Sequence, residues 1–203
     1  MLNKSKSAMT IFLVSLAFIV VSGILVLWFF LPQFFETPEY DVLEKSGNFE
    51  VRVYPKMLIA SIQKEGSRDL ALRQSFPYLA NYISGKYRKG PKISMTVPVV
   101  QARLDHKESW KVFFIMPKEY LLKNMPSPNT DSIKLKELKE LKVAVIQFSG
   151  PWTDKNFNEK IQLLNNWLLL KKLSGPLNIM YAFYNGPTTP SFLRRNEILM
   201  EIN

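Results

Sequence analysis

The first hydrophobic block of the chain has no period at all. From Ala8 to Leu31 it reads AMTIFLVSLAFIVVSGILVLWFFL, without one ionisable side chain. At about 1.5 Å per residue a helix of about 24 residues reaches about 36 Å, enough for a hydrocarbon core of about 30 Å. A cleaved leader would carry an apolar core of about 7 to 15 residues and a small-x-small site. Here Trp28-Phe29-Phe30-Leu31-Pro32 follows instead, so an uncleaved transmembrane anchor is expected over 8–31, after a short tail over 1–7. Lys4 and Lys6 precede the block, whereas Glu36, Glu39, Asp41 and Glu44 follow it. The positive-inside rule then puts the N-terminus in the cytoplasm and the rest on the outer, extracytoplasmic side of a membrane. A stiff linker over 32–38 leads to one domain over 39–203.

In that domain the period alternates between two and about three and a half. Phe49, Val51 and Val53 alternate with polar neighbours, predicting a half-buried strand, and Met57 to Lys64 predicts a second. Between Asp69 and Ser84 the apolar residues Leu72, Phe76, Leu79 and Ile83 recur at helical spacing, with Gly85 as the stop. Pro77 should bend this helix. Strands are predicted over Lys92 to Ala102 and Trp110 to Met116, then a loop over Pro117 to Thr130. The second half repeats the order: a strand at Val143 to Phe148, a helix capped by Thr153 or Asp154, and strands at Asn178 to Tyr184 and Glu197 to Ile202. Phe157, Ile161, Leu164 and Leu168 follow the first helical stripe at a constant offset of 85 positions. The expected fold class is α+β, built from duplicated β-α-β-β units whose curved antiparallel sheet packs on two helices. The run Lys134 to Lys142 fits either helix or strand, with its charges on a solvated face.

Composition narrows the chemistry. Lys and Arg number 27 against 17 Asp and Glu, a formal charge of +10, which favours anionic partners. Cysteine is absent and His106 is the single histidine, in a polar stretch that reads as a hairpin turn. Common zinc sites and Ser-His or Cys-His nucleophiles are thereby disfavoured, and no glycine-rich phosphate loop occurs. No metal site and no catalytic residue are expected; the chain reads as a binding protein and not an enzyme. Around the first helix an apolar stripe adjoins Arg73. From the residues alone this is either core beside a solvated arginine, or one wall of a site.

Several separated segments resemble the SOUL/haem-binding protein family. They are Glu39-Tyr40-Asp41-Val42; Leu72-Arg73 through Phe76-Pro77, Leu79, Tyr82 and Gly85; Met95-Thr96-Val97-Pro98-Val99; Trp110 through Pro117; and Arg194-Arg195-Asn196-Glu197. They occur in family order across nearly everything outside the anchor. The resemblance implies a distorted antiparallel β-barrel of two repeated units with two long helices, and non-covalent binding of haem or a related tetrapyrrole. It implies a site at Leu72, Arg73, Phe76 and Ala80, with Arg73 meeting the propionates and Phe76 and Ala80 beneath the ring. Asn81 and Thr189 stand where some relatives carry lysines, and the helix holds no histidine, so Tyr78, Tyr82 and Met95 are the remaining candidate iron ligands. Partners then expected are the tetrapyrrole and, through the anchor, membrane lipid; nucleic acid is not, because the anchor keeps the domain away from it. A binder of another amphipathic ligand, or a membrane-tethered scaffold for a protein partner, are the competing readings.

Overall fold

The computed structural model describes residues 2–30, 35–104, 108–173 and 178–203. His106, and with it the hairpin-turn reading, lies outside the described residues. The chain divides into two compact units, Met1–Phe35 and Glu36–Asn203.

The first unit holds helix α1 (Leu2–Phe30). Its described side chains run from 9 to 24, and all are exposed except Ser22, which is half-buried. Phe12, Val14, Phe18 and Ile19 are each about two-thirds exposed, so apolar groups occur on every side of the helix. Among the described residues no helix is long and apolar enough to cross a membrane. The stretch of α1 whose side chains are described, 9–24, is shorter than the ~20 residues a span takes, and the transmembrane reading of 8–31 is to that extent unsupported.

The second unit is one nine-stranded sheet with two helices. In chain order it runs β1 (Asp41–Ser46), β2 (Phe49–Tyr54), β3 (Met57–Glu65), α2 (Arg68–Ser84), β4 (Val99–Arg103), β5 (Ser109–Ile115), β6 (Lys134–Leu138), β7 (Leu141–Phe148), α3 (Asp154–Leu170), β8 (Ile179–Phe183) and β9 (Asn196–Glu201). The spatial order is β1-β2-β7-β9-β8-β4-β5-β3-β6, and each neighbouring pair is antiparallel. Exchanging β2 with β6, β3 with β7, β4 with β8 and β5 with β9 and reading backwards reproduces the order of the eight strands after β1. The duplication is therefore real, and its repeat is longer than the β-α-β-β expected. Each copy is β-β-α-β-β, and the leading strand of each pairs within the other copy: β2 on β7, and β6 on β3. The copies meet at β4 and β8, with Val99 opposite Phe183 and Ala102 opposite Met180.

Three sequence expectations change. The sheet is open, with β1 and β6 as edges, so the implied barrel does not close among the described residues. The strand expected from Lys92 begins only at Val99, because the segment before it makes its hydrogen bonds elsewhere. Ile93 N–H goes to the helix end at Ile83, and Val97 N–H to Glu36. The ambiguous run at Lys134 is strand, since Lys134 to Leu138 pairs with Ser61 to Met57.

Both sheet faces are buried. On one, α2 packs over β3 and β5 and α3 over β7 and β9, covering Ile62, Val112, Phe114, Ala144, Ile198 and Met200. No residue of α2 or α3 joins the buried cluster of the other face. Ile59, Val143 and Ala182 are nevertheless fully buried there, so the sheet must curl over its own surface. Alternation explains the division: in β5, Trp110, Val112 and Phe114 face the helices, while Phe113 and Ile115 face the hollow.

On the hollow side Glu197, fully buried, accepts five hydrogen bonds. Arg52 Nη1 and Nη2 donate at 2.9 and 3.1 Å, Tyr184 Oη at 2.9 Å, and Arg195 Nε and Nη2 at 3.1 and 2.7 Å. Arg52 also donates from Nε to Glu50 at 2.7 Å and from Nη1 to Tyr54 Oη at 3.1 Å. Its guanidinium lies 4.3 Å from the Tyr40 ring centroid, and that of Arg195 lies 4.0 Å from Tyr184. Burial alone would lower the Arg52 pKa, but hydrogen bonding and the charge of Glu197 outweigh it and raise it. Tyr54 is pushed up to about 12, first by burial and then by the Glu197 charge, against the pull of Arg52. Tyr184 is raised by burial and by Glu197. Removing one partner of such a cluster leaves a buried charge uncompensated. Glu197→Gln is expected to cost ~3–5 kcal/mol of unfolding free energy, measured as a lowered urea midpoint with unchanged slope.

Candidate functional site

Helix α2, on which the family resemblance places the site, is closed at both ends by its own sequence. Ser67 is the N-cap, its side chain accepting the Leu70 N–H, and Asp69 sits in the first turn. Gly85 takes φ 93°, a left-handed conformation open to glycine, and its N–H returns to Asn81 and Tyr82. The last carbonyls are collected by Arg88, buried to 4% exposure, whose guanidinium donates to Tyr82 O at 2.9 Å, Ile83 O at 3.1 Å, Lys89 O and Pro91 O. At the other end Arg68 donates to Asp154 Oδ1 at 2.9 Å and Trp152 O at 2.6 Å, tying the first residue of α2 to that of α3. Its guanidinium also stacks 4.5 Å from the Phe157 ring.

The buried face of α2 is Arg68, Ala71, Ser75, Leu79, Tyr82 and Ile83. The expected stripe of Leu72, Phe76, Leu79 and Ile83 is thus divided. Leu79 and Ile83 are core, Leu72 is half-buried, and Phe76 is 41% exposed with its edge against Phe114 at 5.5 Å. Ala80 is half-buried. Spacings of three and four place Leu72, Arg73, Phe76 and Ala80 on one strip. Phe76 leans on β5, while Tyr78 on the opposite flank takes Lys64 of β3 at 5.5 Å. The strip therefore faces the centre of the sheet, and with it the second repeat. Arg73 projects into solvent, its side chain 75% exposed, and pairs with Asp69 one turn earlier. That hydrogen bond and the Asp69 charge raise its pKa.

This arrangement is an exposed ledge. Two cavities lie elsewhere, and neither is bordered by Leu72, Arg73, Phe76 or Ala80. Of the candidate iron ligands, Tyr82 is fully buried and donates its hydroxyl to Pro126 O at 2.7 Å, which removes it from consideration. Tyr78 is 38% exposed and stacks obliquely on Tyr87 at 5.8 Å; Met95 is half-buried against the core. Among the described residues no cluster of His, Asp and Glu is placed to hold a metal ion.

The motifs at the chain's end serve the framework. Arg194 pins the loop before it by donating to Thr189 O at 2.8 Å and Pro187 O at 2.9 Å, and lies 4.3 Å from the Trp152 ring. Asn196 accepts from Trp152 Nε1 at 2.7 Å and donates to Gly150 O at 3.1 Å. Beside them Phe192 stands 73% exposed; composition and period did not single it out.

An open antiparallel sheet of two repeats with two helices on one face defines a class of duplicated α+β domains. The chain belongs within it to the SOUL heme-binding protein family, whose profile matches residues 35–201. It is 36% identical over 175 residues to Heme-binding protein 1 of Sus scrofa, covering 80% of this chain and 90% of that protein. It is 25% identical over 170 residues to Heme-binding protein 2 of Mus musculus, covering 80% and 82%. In fold it is similar to the EcmrR C-terminal domain, with a TM-score of 0.59 at 13% identity, covering 81% of this chain and 98% of that one.

The split stripe has a measurable consequence. Leu79→Ala should cost ~2–5 kcal/mol of stability, as a fully buried leucine does, whereas Phe76→Ser, at a surface that is already wet, should cost less than ~1.5 kcal/mol. Thermal or urea unfolding of the two variants compares them directly.

Proposed function

We propose that this protein binds haem or a related tetrapyrrole, non-covalently and without catalysis, on the ledge formed by Leu72, Arg73, Phe76 and Ala80. The observation that carries the reading is an aromatic ring left 41% exposed one turn from a guanidinium that is itself in solvent, in a chain of the SOUL heme-binding protein family. A flat apolar macrocycle gains by covering Phe76 and Leu72, at ~25 cal/mol per Å² of apolar surface removed from water. A propionate gains by pairing with Arg73, which can hold a carboxylate with two parallel N–H donors. Asp69 already holds that guanidinium, so the propionate must share or displace it. The half-buried Ala80 leaves room for the ring to approach the helix. Relatives named as heme-binding proteins, 36% and 29% identical to this chain, support the same ligand class.

We further propose that α1 anchors this domain in a membrane, with the N-terminus cytoplasmic and the domain on the outer side. Supporting it are a continuous helix over Leu2–Phe30, a sequence without charge from 8 to 31, and apolar side chains exposed around the whole circumference of its described part. Such a helix has no polar face to offer water.

Titrating hemin into the full chain and following its absorbance tests the ligand. The expected result is a saturable shift that Arg73→Glu and Phe76→Asp each weaken by at least ~10-fold; equal affinity in both variants would remove the ledge from the reading. Alkaline carbonate extraction tests the anchor, which predicts retention with the lipid pellet and is refuted by release.

A further inference from the structure

The larger of the two described cavities is not bordered by the ledge residues. It has a volume of about 320 Å³ and lies between the lead-in segment 36–39, the turn from β2 to β3, the end of β5 and β6. That volume falls at the lower end of the ~300–1,000 Å³ typical of small-molecule sites. Its walls include Met57, Ile115, Met116 and Tyr120. Two thioethers make an adaptable apolar lining, and a tyrosine ring can face a cation. Met57, Ile115 and Pro38 also border a second hollow of about 30 Å³, enclosed by apolar side chains such as Leu141 and Leu199.

The rim has the opposite sign to the rest of the protein. Glu36, Glu39 and Glu137 border the cavity against Lys56 and Lys118, a net negative mouth on a chain of formal charge +10. Glu36 is held in place by its backbone, which accepts the Val97 N–H at 2.9 Å, and its carboxylate accepts the Lys118 N–H at 2.8 Å. Glu39 pairs with Lys118 Nζ at 3.0 Å, but both side chains are about three-quarters exposed, so that pair exchanges readily with a competing cation. Glu137 is exposed on the edge strand β6. An anion entering this mouth would meet three carboxylates against two ammonium groups, and an amine would meet the same small negative excess with favourable sign.

We propose that this cavity is a second binding site, for a small organic cation: an amine or quaternary ammonium carrying an apolar body. The body sits against Met57, Ile115 and Met116, and the charged head lies at the mouth among Glu36, Glu39 and Glu137. The same negative excess disfavours a dianionic tetrapyrrole here, so the two sites prefer opposite ligands and neither requires the other.

Three compounds with one apolar body separate the contributions: 4-phenylbutylamine, 4-phenylbutan-1-ol and 4-phenylbutyrate, titrated into the full chain in lipid nanodiscs with ¹³C-methyl methionine as the probe. The amine should shift the Met57 and Met116 methyl resonances saturably, and at least ~10-fold more tightly than the butyrate, with the alcohol between them. Glu39→Gln combined with Glu137→Gln should bring amine and alcohol together, and Met57→Trp should abolish binding by filling the cavity. Both glutamates are exposed, so the double variant is expected to fold as the parent does. Equal binding of butyrate and amine, absence of a saturable shift at either methyl, or undiminished amine binding in Met57→Trp would each overturn the proposal. Hemin affinity should be untouched by the glutamate variants, so failure of the ledge and failure of the cavity read out separately.

Discussion

Pairing between β4 and β8 is the constraint from which the rest of the domain takes its place. The four residue pairs along this seam join two repeats into one sheet, and the exchange of β2 and β6 across the copies locks the join at both flanks. Each repeat then lays its helix on the same sheet face, over its own strands. Arg68 holds the two helix starts together, and α2 cannot turn about its axis without breaking Arg68 and Arg88 as well as burying or exposing Leu79. That is why a strip only four residues long can present Phe76 and Arg73 at a defined angle. The rigidity of the ledge comes from residues that never meet a ligand.

The same division of labour applies to the motifs that define the family. Thr96 donates to Ile115 O and Val97 N–H to Glu36 O, so the Met-Thr-Val-Pro-Val block fastens the beginning of the domain to the end of β5. Arg195 and Glu197 close the buried ion cluster, while Arg194 and Asn196 fix the loop and Trp152. A buried carboxylate with five donors is a costly feature, because desolvation of its charges offsets much of their attraction. It also leaves little tolerance for a shifted register, since Arg52 and Glu197 face each other across β7. The most recognisable residues of this chain therefore specify the framework, and the ligand ledge is written in less distinctive ones.

Much of this order was legible along the chain. Two-residue alternation marked β2 and β5, and Gly85 and Thr153 marked helix ends, because the physics of a half-buried strand or a cap is local. The constant offset between the two helical stripes announced the duplication. The strand exchange was not legible, because which copy β2 or β6 joins depends on pairing partners far apart in the chain, as Phe49 is from Ile146 and Ser61 from Lys134. β1 was missed for a different reason: its residues are mostly exposed, so no alternation distinguishes them from loop. Phe76 was placed on the core stripe by its spacing, but α2 is rotated so that Ala71 and Ser75 face inward. A small residue and a hydroxyl give a hydropathy pattern no means of announcing that. The cavity drew no notice because its walls come from five separate stretches of chain.

The exchanged strands bear on how such a protein can be divided. If the gene were split in the connection after β5, the N-terminal product would carry β2 without β7 to pair with, and the C-terminal product β6 without β3. Each half would hold one whole β-β-α-β-β copy in sequence, yet its leading strand would lack its native partner and each would display the open edge its counterpart was built to fill. Two such fragments would be obliged to find one another, and a doubled copy of either would have a ready geometry for mutual capture, which is how a one-repeat ancestor could have lived as a homodimer before its halves were fused.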